Sequence, residues 1–141
     1  PNKLLTNTKL GQALQDELNR FRVTKEAEIK KSSDDLEKRV TQYKAAVSSM
    51  SQERRDEVEA ELSGLRRDLE RLTRDADAEL ARRRQKAIKQ LEVEVSAILD
   101  DYGKKNGYTL ILQREFCAFA SSTVDISDEL VRLLDARRTT P

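Results

Sequence analysis

Histidine and tryptophan are absent, there is a single cysteine, and Pro1 and Pro141 are the only prolines. Each gap closes off a class of function. Without histidine there is no imidazole to serve as a general base or to complete a Cys/His metal site. Cys117 has no partner for an internal disulfide, so cysteine usage says nothing of the redox compartment. It also lacks the base a nucleophilic thiol needs, and it reads better as a small apolar residue in a strand. No glycine-rich phosphate loop and no serine elbow is present. These absences argue against an enzyme and against a cofactor. No run approaches the ~18 apolar residues of a membrane-spanning helix. No segment is strongly basic either: residues 1–50 carry 10 basic and 7 acidic side chains, residues 51–105 carry 13 and 14, and residues 106–141 carry 4 and 5. A dedicated nucleic-acid binder would show a basic patch or stripe. The sequence starts without Met and shows no signal peptide, which predicts a processed or trimmed product.

What is there is charge and helix-forming residues. Charged side chains make up 38% of the chain and aromatics 4%. This composition, with no interior proline, predicts long helices and coiled coil, whereas disorder usually brings proline and lacks apolar periodicity. Thr6-Asn7-Thr8 offers N-cap side chains before Lys9. A stripe then runs through Leu14, Leu18, Phe21, Lys25, Ile29, Leu36, Val40, Tyr43, Val47 and Met50. Its spacing of fours and threes reads as a heptad rhythm with a polar slip in phase at 25–35. A second stripe runs through Val58, Leu62, Leu65, Leu69, Leu72, Ala76, Leu80, Ala87, Leu91, Val95, Ile98 and Tyr102, with a break at Arg82-Arg83-Arg84. One continuous helix would be about 140 Å long with no partner in the chain. A hairpin pairs the two stripes. The lapse between Met50 and Val58 places its turn near 48–53, with Ser49 and Gln52 forming a capping box.

Gly103 and Asn106-Gly107 end the second helix. Beyond them, Tyr108, Leu110 and Leu112 alternate with Thr109, Ile111 and Gln113, the pattern of a strand. Arg114-Glu115 has hairpin-loop length, and Phe116-Cys117-Ala118-Phe119-Ala120-Ser121 reads as a second strand. Asp125 or Ser127 caps a last helix whose apolar face is Leu130, Val131, Leu133 and Leu134. A lone two-stranded hairpin is marginal. More sheet is needed, and other copies of the same chain are its expected source. The expected fold is therefore mainly α with a small β part: a coiled-coil hairpin arm over 13–102, an entry segment over 1–12, and a body of two strands and a helix over 103–141.

At this point the sequence resembles a known family. Its order is a coiled-coil hairpin, then Tyr102-Gly103, then Gly107-Tyr108-Thr109-Leu110-Ile111-Leu112, then a strand ending in Ala120-Ser121. Val124-Asp125-Ile126-Ser127-Asp128-Glu129-Leu130 follows. This is similar to the Skp/OmpH family of periplasmic chaperones, with Ser127 where a Thr is usual, and Asn2-Lys3-Leu4-Leu5 with Gly11 resembles that family's entry to the first helix. The resemblance implies a homotrimer in the bacterial periplasm. Strands from three chains would form a small barrel-like body, and three arms would enclose unfolded outer-membrane proteins without ATP. It also implies an assembly role for Tyr108, Leu110, Leu112, Phe116, Ala118, Phe119, Ile126 and Leu130. Two departures stand out. Only a stub precedes the first helix where the family has a strand, and the formal charge of +1 is far from the family's strongly basic best-known member.

Arms with a narrow stripe and many charges would offer a client numerous weak contacts, which sum when three arms share one body. Leu36, Val40, Tyr43, Val47, Met50, Val58 and Leu62 are the candidate contacts, although as stripe residues Tyr43 and Met50 also suit packing inside the hairpin. Arg82, Arg83, Arg84, Lys86 and Lys89 are a candidate contact for anionic lipid or an acidic client segment, set against a plain solvated helix face. Asp34-Asp35 and Asp100-Asp101 read as solvated surface. Tyr108 and Phe119 read as barrel core before ligand pocket. Three rivals remain: a structural coiled-coil stalk or envelope scaffold without clients, a prefoldin-like cytosolic chaperone, and an anionic-lipid binder. Prefoldin places its strands between the two helices, whereas here they follow the second.

Overall fold

The computed structural model describes residues 7–137. The Asn2-Lys3-Leu4-Leu5 entry lies outside them. Helix α1 spans Lys9–Ala46, α2 spans Gln52–Asn106 and α3 spans Ser127–Arg137, with short 3-10 turns at Val47–Ser49, Arg114–Phe116 and Ser122–Val124. Thr8 starts α1: its buried hydroxyl accepts the Gly11 amide at 3.0 Å, satisfying one of the free donors of the first turn. The break between α1 and α2 falls at 47–51. Its cap differs from the expected box. Ser49 donates its hydroxyl to the Ala46 carbonyl, and Ser51 accepts the Arg54 amide at 3.3 Å. Met50 turns to an extended ψ of 147°, so the residue after it is the first that can cap α2.

The chain divides into two compact units. In residues 19–82, α1 and the first part of α2 run antiparallel, and the Tyr43 hydroxyl donates to Glu59 across the pair at 2.5 Å. The other unit combines residues 1–18 with 83–141. Its core is Ile98, Tyr102, Leu130 and Leu134, with Val95, Leu99, Ile111 and Ile126 packed against it. Residues 98 and 102, and 130 and 134, are each one helical turn apart, so α2 and α3 meet along matching edges. Two polar contacts fasten the last turn of α3. Asp135 accepts the Lys9 amide at 2.8 Å, placing a carboxylate on the positive end of α1, and Arg137 pairs with Asp101.

The stripe is not a heptad throughout. On α1 the buried and half-buried positions, Gly11 and Ala46 apart, are 10, 14, 18, 21, 25, 29, 32, 36, 40 and 43, in steps of 4-4-3 that repeat every 11 residues. On α2 the line from Val58 to Tyr102 covers 44 residues in twelve steps, again 3.67 per step. That period lies close to the natural turn of an α-helix and does not call for the left-handed wrap of a heptad seam. The expected slip at 25–35 is therefore absent: Lys25, Ile29 and Ser32 all stand on the line. Lys25 is tolerated there because Glu28 holds its ammonium group at 2.6 Å. Arg83 likewise continues the line on α2 and pairs with Glu17 at 3.5 Å.

Gly64 sits within α2, and a Cβ built on it meets nothing within 4 Å. Gly64→Ala is expected to stabilise the chain by about 0.5–1 kcal/mol through helix propensity. Urea denaturation checks this, and a loss of stability would contradict it.

Candidate functional site

Helix α2 runs through Gly103 and ends at Asn106, and Gly107 adopts φ +71°. The Tyr108 amide then reaches back to the Gly103 carbonyl at 3.0 Å, closing a Schellman turn that only a residue free of Cβ strain makes cheaply. The turn brings the following chain back over the helix end. Ile111 Cδ1 comes to 3.6 Å of where a Cβ on Gly103 would lie. Tyr108 stacks on Tyr102 with ring centroids 5.6 Å apart.

The two expected strands do not pair. Among the described residues there is no β-strand, and no amide of Thr109, Leu110, Ile111 or Leu112 bonds to another backbone group. Arg114–Phe116 forms a 3-10 turn in place of the expected hairpin loop, and Gln113, Cys117 and Ser121, which flank the two 3-10 turns, are extended. A strand is defined by a partner, and no ladder hydrogen bond joins these segments. Their side chains are exposed: Leu110 is 68% accessible, Phe116 73% and Phe119 88%. Tyr108, Leu112 and Val124 are exposed as well. Ala118 is exposed beside them, and Cys117 is half-buried. Ile126 and Leu130, grouped with these by the sequence reading, instead pack inside the chain against Ile98 and Tyr102. Of the two residues expected to cap α3, Asp125 accepts the Ser127 amide at 3.0 Å.

The Tyr102 hydroxyl donates to Glu129 at 2.7 Å. That carboxylate, with burial second and the neighbouring Tyr108 third, pushes the phenol above its usual value. A raised phenol pKa favours the protonated folded state. This contribution to stability is complete below pH ~10 and is lost as pH rises past the usual phenol value. Tyr102→Phe is expected to remove a late alkaline step from the absorbance titration at 295 nm and to flatten the fall of stability above pH ~10. An unchanged titration curve would contradict the assignment. No sequence signal reveals this bond, because its partners lie 27 residues apart.

The arm residues Leu36, Val40, Tyr43, Val47, Met50 and Val58 are half-buried, and Leu62 is buried. Val40, Tyr43, Lys44, Glu59, Leu62 and Arg66 line an open groove of about 420 Å³. The basic run is less uniform than its sequence. Arg82 is bonded to Glu79 at 2.7 and 2.8 Å, and that bond holds its guanidinium charged. Arg83 pairs with Glu17, while Arg84, Lys86 and Lys89 are exposed. Among the described residues no group of three or more His, Cys, Asp or Glu side chains is placed to hold a metal ion, and no helix is long and apolar enough to cross a membrane.

Over residues 1–134 the chain matches the family described as outer membrane protein, OmpH-like. The chain belongs to the OmpH-like family. No curated protein matches it. Among solved structures it is similar to an OmpH-like protein from Caulobacter crescentus CB15, described there as a candidate outer membrane chaperone. The two share 20% identity and a TM-score of 0.90, with 97% of this chain and 81% of that one covered. At that identity the likeness establishes a shared fold. The OmpH-like fold is thus present in a chain whose described residues contain no paired strand.

Proposed function

We propose that the chain is an ATP-independent holdase of the bacterial periplasm, which keeps unfolded outer-membrane proteins soluble between the arms of a homotrimer. The observation that carries this reading is the segment 108–124. It presents large apolar side chains to solvent, and the amides of residues 109–112 have no backbone partner, an arrangement from which a lone chain gains nothing. Strand pairing with two further copies covers the side chains and satisfies the amides together. In this reading residues 13–102 act as the arm, 1–12 as its entry and 103–141 as the body. The small β part forms on assembly. The arm stripe supplies client contacts at Leu36, Val40, Tyr43, Val47, Met50, Val58 and Leu62. Family membership and the description of the Caulobacter protein support the same reading.

Turbidity tests it. A urea-unfolded outer-membrane barrel protein is diluted into buffer with increasing amounts of this chain and no nucleotide. Light scattering should vanish near three chains per client. Aggregation at every ratio would overturn the proposal.

A further inference from the structure

The groove at the closed end of the helix pair has a composition suited to one kind of client segment. Its floor is apolar: Leu62 is buried, and Val40 and the ring of Tyr43 are half-buried. Glu59 is the single carboxylate in the lining, and it already accepts the Tyr43 hydroxyl. Lys44 and Arg66 are exposed, and neither has a hydrogen bond or an ion pair among the described residues. The groove therefore offers two free cations around an apolar floor.

Their spacing adds a pattern. Tyr43 and Glu59 stand level in the antiparallel pair, so Val40 stands level with Leu62 and Arg66 with residue 36. Lys44 and Arg66 are thus offset by about eight residues, or ~12 Å along the helices. An extended chain covers ~13 Å in four residues, and residues i, i+2 and i+4 share one face. We propose that this groove seats one apolar side chain of an extended client segment bearing acidic residues two positions to either side, which Lys44 and Arg66 engage. The proposal rests on the holdase reading and names the segment class that the arm prefers.

The full-length chain is titrated by NMR with three nine-residue peptides centred on Glu-x-Leu-x-Glu, Lys-x-Leu-x-Lys and Glu-x-Ser-x-Glu. The first should shift the amides of 40–44 and 59–66 and bind about tenfold more tightly than the second. The third should bind more weakly than the first. The double variant Lys44→Glu/Arg66→Glu alters exposed side chains only, and circular dichroism checks its helix content. In it the order of the first two peptides should reverse. Equal binding of those two, shifts confined to other residues, or an unreversed preference would each overturn the proposal. Retention of a whole unfolded barrel protein is measured alongside. If both chains retain it and the peptides do not discriminate, the groove assignment fails while the holdase reading stands. If neither chain retains it, both fail.

Discussion

Replacing Leu134 with Ala is expected to destabilise the chain by about 2–5 kcal/mol, the range for removing a buried leucine that leaves a cavity. Leu134 is 4% accessible and shares its cluster with Ile98, itself 3% accessible. The effect should be large because α3 has only 11 residues, too few to hold a helix without docking. Loosening it also removes Asp135 from the Lys9 amide and Glu129 from the Tyr102 hydroxyl. Urea denaturation should show the loss, and hydrogen exchange should show α3 opening first. Leu133→Ala is the control, since that side chain is partly exposed and its loss should cost under about 1 kcal/mol. A Leu134→Ala chain within 1 kcal/mol of the parent would place the anchor of α3 elsewhere.

The second large effect concerns assembly. Leu110→Asp combined with Phe119→Asp should leave the helix content unchanged, because both side chains are solvated in the single chain. In the proposed trimer the same positions are covered. Each forfeits about 1.5–3 kcal/mol of apolar burial and forces a carboxylate to desolvate. Self-association should weaken at least ~10³-fold, and sedimentation equilibrium should report monomers. An unchanged trimer would show that 108–124 is not the joint. Leu133→Asp, at an exposed position of α3, serves as a comparison for general surface charge.

Several features were legible before any coordinates. Thr8 as a cap, the helix break around residue 50 and the stop at Asn106-Gly107 are local matters, settled by side chains within four residues of each other. The helical hairpin followed from stripe length and the absence of interior proline. The period was harder. Over two turns a 4-3 step and a 4-4-3 step look alike, and only burial of Lys25, Ser32 and Arg83 separates them. Three serines, Ser48, Ser49 and Ser51, crowd the break around Met50, each of a type able to cap, and backbone turning selects Ser51. Alternation in 108–121 records which faces are apolar and not whether a partner is at hand. Long-range pairs such as Lys9 with Asp135 and Tyr102 with Glu129 left no trace in spacing. The groove cations were equally hidden, since Lys44 and Arg66 look like any other charges on a helix surface.

Absolute mass by light scattering on a sizing column tests the central claim most directly. The sample is a urea-unfolded outer-membrane barrel protein diluted, without nucleotide, into an excess of this chain. The account predicts a soluble peak with the mass of three chains and one client, beside free trimer. A chain that elutes alone at the mass of one copy, with all the client in the pellet, would contradict it.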